Sequence, residues 1–226
     1  MLNKWEQLPE CMHTPEVAEY YEILKQKPLG LFCKRLFDIL ISFLLIILLS
    51  PVMLGISIWI KLDSKGPVMF RQVRITTGGR EFRIFKFRTM VTDAEKLGTQ
   101  VTVGEDPRIT RSGHVLRKFR LDEIPQLFNV LAGDMSFVGT RPEVPRYVEQ
   151  YTPEMWATLL LPAGITSEAS IRYKDEAKLL EEAEDADQVY VKQVLPEKMK
   201  YNLTYMKRFH FWRDIKIMFD TVFAVL

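Results

Sequence analysis

Between Leu36 and Ile60 the chain reads LFDILISFLLIILLSPVMLGISIWI, an almost unbroken apolar run in which no helical period stands out because every face is greasy. A straight helix over this run would be about 38 Å long, enough to cross a hydrocarbon layer of roughly 30 Å. Ser50-Pro51 interrupts it. Proline removes a backbone donor and crowds the preceding turn, so the pattern predicts a kink near the middle and two arms that each reach about one leaflet deep. Lys34 and Arg35 flank one end while Lys61 and Lys65 flank the other, which draws both ends to the same side of a bilayer. A helix that crosses and one that enters and returns both stay open on this pattern. Asp38, one turn inside, is expected to pair with Arg35 or to sit at headgroup depth. The run starts too late for a secretory signal and has no cleavage pattern after it, so it is expected to remain in the protein.

Elsewhere the periodicities are shorter. Residues 1 to 33 read as a polar accessory arm with one helix from Pro15 to Lys25. Alternation of apolar and basic residues around Thr77-Gly78-Gly79-Arg80 predicts a β-hairpin, Met69 to Val73 against Phe82 to Phe85. Helices are expected at Ser112 to Phe119 with Ser112 as cap, Ile124 to Leu131, Arg146 to Tyr151 and Pro153 to Leu161. Residues 174 to 188 are acidic and read as a solvated helix face, with a metal site as the alternative. From Phe209 to Leu226, the residues Phe211, Ile215, Met218, Phe219, Val222 and Phe223 share one broad side. Such a helix suits either the membrane interface or the protein's own core.

With 226 residues there is room for one catalytic domain and an accessory segment. The net charge of +2 hides a basic stretch, Lys61 to Arg88, whose only acids are Asp63 and Glu81, so an anionic partner is implied locally. Cys11 and Cys33 lack metal-ligand spacing and give no disulfide framework, which favours a reducing compartment. Aromatic RNA-binding signatures and a recognition-helix pattern are missing, which argues against nucleic acid.

The chemistry concentrates at Asp122 and Glu123, adjacent acids just before the Ile124 to Leu131 helix, which Pro125 and Gly133 bracket. Acids there are also what a helix dipole favours without any function. Lys86 and Arg88 in FKFRTM, Arg108 in EDPRITRSG, and Arg141 beside Pro142 in VGTRPE stand on loops from which arginine forks can grip phosphate oxygens.

The ordered set KRLFD (Lys34 to Asp38), Ser50-Pro51, the hairpin leading into FKFRTM, and DPRITRSGHVLRKFRLDEIPQLFNVLAGDMSFVGTRPE (Asp106 to Glu143) resembles the bacterial sugar transferases, monotopic polyprenyl-phosphate phosphoglycosyl transferases. A weaker echo continues through PAGIT (Pro162 to Thr166) and Tyr205 to Asp214. The resemblance implies an enzyme of the cytoplasmic face of the bacterial inner membrane. It would move a phosphosugar from a nucleotide diphosphate sugar, UDP-linked by expectation, to undecaprenyl phosphate or a similar polyprenyl phosphate, with release of UMP. Asp122 would be the nucleophile and form a covalent phosphosugar adduct. Glu123, together with Asp122, would hold Mg²⁺. Lys86, Arg88, Arg108, Arg141 and Pro142 would bind the donor's diphosphate. Asp93 also fits the family pattern.

The resemblance also selects the re-entrant helix, residues 34 to 60 broken at Ser50-Pro51, with Lys34, Arg35 and Asp38 as a headgroup-level anchor in membrane lipid. Residues 61 to 226 would form the catalytic domain. The expected fold is α+β, mainly helical, with a small hairpin and interfacial amphipathic helices, and it leaves room for a homodimer. The chain departs from the family at Asn202, where an aspartate is common, and at Ser167 to Ser170 after Gly164-Ile165-Thr166. Two other readings compete: a membrane-anchored scaffold that binds nucleotide sugar without turnover, and a metal-dependent phosphohydrolase in which water resolves the same adduct.

Overall fold

The computed structural model describes residues 2–92, 94, 106–173 and 185–225; Asp93 and most of the acidic 174 to 188 segment lie outside them. The chain opens with 3₁₀ turns at Trp5–Gln7 and Glu10–Met12, then α1 (Pro15–Lys25). Thr14 caps α1 by accepting the Val17 N–H, and Pro15 takes the first helical position, where a missing donor costs nothing. The buried face of α1, Val17, Tyr20, Tyr21 and Leu24, sits in the main hydrophobic core beside Leu160, Leu195 and Met206. The N-terminal arm is therefore built into the core of the domain.

The long helix α2 runs from Pro28 to Asp63, with Pro51 inside it. It starts earlier than the apolar run and continues in helical geometry through the proline. Pro51 cannot donate to the Ile47 carbonyl, and the Ser50 hydroxyl takes over that donation at 2.8 Å. Serine before proline thus satisfies the group that proline orphans.

One face of α2 is turned inward along nearly its whole length. Leu31, Lys34, Asp38 and Ser42 are buried, Leu45, Ile46 and Leu49 pack on the main core, and Met53, Ile56 and Ile60 form a second cluster with Phe87 and Leu116. The opposite face exposes Leu36, Leu40, Phe43, Leu44, Ile47, Leu48, Val52, Leu54 and Ile58. The inward stripe carries Lys34, Asp38 and Ser42 at spacings of four, a polar hint of a helical period at the start of the run.

Strands β1 (Met69–Ile75) and β2 (Glu81–Phe87) form the predicted antiparallel hairpin, two residues longer in the first strand and three in the second than the alternation suggested. Next comes α3 (Arg111–Lys118). Its cap is Thr110, which accepts the Gly113 N–H; Ser112, expected to cap, instead donates its N–H and its hydroxyl to Asp63 at the end of α2. A 3₁₀ turn at Leu121–Glu123 leads into α4 (Gln126–Ala132), so the helix starts two residues later than expected and Pro125 stands at its N-cap. Gly133 ends it at φ 92°, a left-handed conformation that suits glycine.

Strand β3 (Met135–Val138) pairs in parallel with β4 (Ala163–Thr166), and between them lie α5 (Pro145–Val148) and a 3₁₀ segment, Met155–Leu160. The expected helices at Arg146 to Tyr151 and Pro153 to Leu161 shrink to these two short pieces. The β3–β4 pair was not predicted. Each strand has four residues, all but Ile165 buried, so neither shows the alternation that marks a half-exposed strand. The chain closes with α6 (Glu168–Arg172), α7 (Ala186–Val189), a π-helical turn at Tyr190–Val194, α8 (Leu195–Lys207) and α9 (Phe211–Val225). The described residues are mainly helical with two small sheets.

Helix α9 packs on the protein's own core through one side, where Asp214 and Ile217 are buried and Met218 joins the core, while Trp212, Phe219, Val222 and Phe223 are exposed. The KRLFD segment needs correction. Lys34 and Asp38 are 2% and 1% exposed and face the domain, so they cannot meet lipid headgroups. Lys34 donates to the Val138 carbonyl (2.7 Å) and to Asp214 (2.6 Å), and Asp38 accepts the Phe137 N–H. Arg35 donates to the Val130 and Leu131 carbonyls at the end of α4, which a helix C-terminus leaves without partners. These residues anchor α2 to protein.

Candidate active site

Asp122 and Glu123 occupy the single 3₁₀ turn between α3 and α4. The chain enters this turn through Arg120, the one non-glycine residue of left-handed backbone among the described residues (φ 52°, ψ 24°). A side chain there costs on the order of 1 kcal/mol. The turn is held from behind by Asn129 on α4, whose amide oxygen accepts the Phe85 N–H (2.8 Å) and whose nitrogen donates to the Arg83 carbonyl (3.0 Å). Asn129 thereby ties α4 to β2 and sets Lys86, the residue after Phe85, against the acids.

Glu123 is the charged centre. Its Oε1 accepts from Lys86 Nζ at 2.7 Å and from Arg141 at 3.0 Å. Burial alone would raise this carboxyl, but Arg141 and Lys86 override it and hold Glu123 well below the usual carboxylate range. Asp122 goes the other way. Burial raises it, Lys86 only partly opposes that, and the neighbouring Glu123 charge adds to the rise. Burial also lowers Lys86, against the pull of Glu123. Two adjacent carboxyls are thus driven apart: one favoured as the carboxylate by its paired cations, the other with a higher proton affinity.

Of the expected diphosphate ligands, Lys86 and Arg141 converge here. Pro142 lies beside them, its carbonyl bonded by Arg74 at 3.0 Å, which steadies the loop that carries Arg141. Arg88 and Arg108 do not converge. Arg88 donates to the Ser64 carbonyl and hydroxyl and to the Lys65 carbonyl, bracing the exit from α2, and Arg108 forms a chelate with Asp106 and reaches the Ala94 carbonyl.

Sequence reading missed Arg117, in the last turn of α3, whose guanidinium interacts electrostatically with Asp122 and bonds Thr89 through Nε at 2.9 Å. Its place five residues before Asp122 was the available signal. It also missed Asn129. Of the departures from the family, Asn202 is buried in α8 near the Met199 sulfur, and Ser167 caps α6.

A carboxylate pair with an adjacent cluster of Lys86, Arg117 and Arg141 suits an anionic, phosphate-bearing substrate and an oxygen-binding cation. No group of three metal-binding side chains occurs among the described residues. Magnesium needs few protein ligands and shares substrate phosphates and water, so Asp122 and Glu123 fit it as a donor pair.

Beside the site lies a cavity of about 470 Å³, walled by Leu45 and Leu49 of α2, Leu127, Phe137, Ile165 and Ile171, and by Thr221, Val222 and Ala224 of α9, with Arg120, Glu123 and Arg141 also on its lining.

This mainly helical domain, with its apolar docking helix and acid-and-base site, matches a family model for bacterial sugar transferases over residues 29–226. The chain belongs to that family. It is 41% identical over 90% of its length to a UDP-N-acetylgalactosamine-undecaprenyl-phosphate N-acetylgalactosaminephosphotransferase of Aeromonas hydrophila, 46% of which is covered. It is 39% identical over 84% of its length to a UDP-glucose:undecaprenyl-phosphate glucose-1-phosphate transferase of Escherichia coli K12, 39% of which is covered. A Caulobacter vibrioides protein of the latter name is 35% identical over 85% of this chain and 69% of its own length. The chain therefore spans less than half the length of the first two of these relatives.

Proposed function

We propose that this protein transfers a sugar 1-phosphate from a UDP-sugar to undecaprenyl phosphate and so starts a membrane-linked glycan. The observation that carries the reading is the split pair: Asp122, raised by burial, beside Glu123, which is locked as a carboxylate by Lys86 and Arg141. A carboxylate of higher proton affinity is the better nucleophile once ionised, while its neighbour is suited to hold charge.

In the proposed reaction an Asp122 carboxylate oxygen bonds to the sugar-bearing phosphorus. The bond from that phosphorus to the bridging oxygen breaks, and the electron pair leaves on UMP. An oxygen of the polyprenyl phosphate then bonds to the same phosphorus, and the acyl–phosphate bond breaks to restore Asp122. Lys86, Arg117 and Arg141 bind the diphosphate and offset its charge. Mg²⁺ held by Asp122 and Glu123 would neutralise charge on the leaving group. The relatives named for undecaprenyl-phosphate sugar phosphotransfer support the donor and acceptor classes. The test is incubation with labelled UDP-sugars and undecaprenyl phosphate, in which labelled lipid and UMP should appear together. Nucleotide-sugar binding without release across a broad donor panel would favour a scaffold, and release at an undiminished rate without acceptor would favour hydrolysis.

The topology belongs to the same proposal: α2 enters the cytoplasmic leaflet and, bending at Ser50-Pro51 without losing its helical geometry, brings both of its ends back to the cytoplasmic face with the domain. Support comes from the inward stripe of α2, which stays on the domain from Leu31 to Asp63, while its other face and the exposed residues of α9 are apolar. A crossing helix would have to leave that docking surface. Tags at residues 1 and 226 are expected to be shielded from protease added to the periplasmic side; digestion of either one restores the crossing helix.

A further inference from the structure

The cavity between α2 and α9 has a chemistry that the donor does not explain. A nucleotide sugar is polar throughout, whereas this space is walled mainly by Leu45, Leu49, Leu127, Ile165, Ile171 and Val222 and carries charge only where Arg120, Glu123 and Arg141 line it. Its two helical walls carry exposed apolar residues, Leu48 and Val52 on α2, Phe219, Val222 and Phe223 on α9, so the cavity is flanked by the surfaces best suited to lipid. An amphiphile with an anionic head and a branched apolar tail matches that gradient.

Arg120 supplies a second observation. It is solvent-exposed, lines the cavity, and makes no side-chain hydrogen bond or ion pair among the described residues. The neighbouring basic groups already have protein partners, Lys86 and Arg141 at Glu123 and Arg117 at Thr89, and the proposed reaction assigns all three to the donor's diphosphate. Its left-handed backbone is a conformation where glycine or asparagine would relax the turn, yet an arginine stands there, two residues before Asp122.

We infer that Arg120 is the acceptor's phosphate-binding residue, with the phosphate-proximal isoprene units of the polyprenyl phosphate seated in the Leu45–Leu49–Val222 cavity. This rests on the transferase reading. The cavity directs the lipid's phosphate to the edge of the Asp122 turn, and Arg120 holds it with a planar pair of donors while the adduct waits. Arg120 therefore sets acceptor affinity, and the residues around Lys86 set donor affinity.

The experiment separates the two substrates on the full chain in detergent micelles. Arg120→Asn keeps a residue that tolerates the left-handed backbone and removes the charge; Val222→Trp narrows the cavity from an exposed helical position. The acceptor KM should rise at least about tenfold for Arg120→Asn, with the donor KM within about twofold and thermal unfolding no lower than native. Arg120→Lys should recover part of the acceptor KM. Val222→Trp should raise the acceptor KM more for long polyprenyl phosphates than for a two-isoprene phosphate. Dioleoyl phosphatidic acid, a phosphate lipid without isoprenes, should compete poorly. An unchanged acceptor KM in Arg120→Asn, an equal rise in donor KM, or phosphatidic acid competing as well as the polyprenyl phosphate each overturns the inference. If the native chain releases no UMP from any donor, the transferase reading itself fails.

Discussion

Asp122→Asn should abolish turnover, lowering kcat by roughly 10³-fold or more, the scale of loss when a covalent nucleophile is removed. The exchange is isosteric, leaves Glu123 with Lys86 and Arg141, and tests the oxygen nucleophile alone. Mass spectrometry of the native protein quenched with donor and no acceptor should find a phosphosugar adduct on the peptide carrying Asp122, absent from the variant.

The pH profile gives an independent sign. Burial raises Asp122, so the carboxylate forms only as pH climbs through a value above the ordinary aspartate figure of about 3.9. The acid limb of the rate should lie above that figure, and Lys86→Met, which removes the cation opposing the rise, should push it higher still. Stability runs opposite. The folded state holds this proton more tightly than the unfolded chain, so between the unfolded and the raised folded value ionisation withdraws stability. Above that window Asp122→Asn should unfold at an equal or higher temperature than native. Turnover retained within tenfold, or an adduct elsewhere, would sink the nucleophile assignment.

Lys34→Ala should destabilise the fold by about 3–5 kcal/mol, the usual cost of stranding one partner of a buried ion pair. For a chain of this size that is a fall of roughly 10 °C in unfolding temperature. Lys34 is 2% exposed and bridges α2 to β3 through the Val138 carbonyl and to α9 through Asp214. Without it Asp214 keeps the Tyr205 hydroxyl at 2.8 Å as its remaining bonded partner among the described residues. The double variant Lys34→Met with Asp214→Leu should recover most of the loss, because replacing both charges removes the stranded one. The measurement distinguishes two jobs for the same lysine. A lysine at the headgroups would change membrane partition and leave unfolding in detergent untouched; a native unfolding curve for Lys34→Ala would therefore refute the protein-anchor role.

How much of this was legible varies by element, for physical reasons. The hairpin was visible because Arg71, Arg74 and Arg83 are interspersed with apolar residues on either side of the Thr77-Gly78-Gly79-Arg80 turn, on a half-exposed sheet. Helix α1 was visible because Thr14 and Pro15 mark its start and Pro28 lies beyond its end. The β3–β4 pair was invisible, since a strand buried on both faces carries no period-two signature. Helix α8, with Lys198 and Asn202 on its buried side, offered little apolar contrast.

Local patterns determined the apolar helix with its Ser50-Pro51 feature, the hairpin, and the acid pair with basic loop residues nearby, because each depends on neighbours within a few positions. Tertiary structure decided which face of α2 turns inward, since in a uniformly apolar run only the domain it docks on can choose. It also decided that Lys34, Arg35 and Asp38 serve protein, that Arg88 and Arg108 brace loops while Lys86 and Arg141 share Glu123, and that Arg120 lines a cavity. Those outcomes are set by contacts between residues far apart in sequence, where burial and charge pairing act on distances that no spacing along the chain encodes.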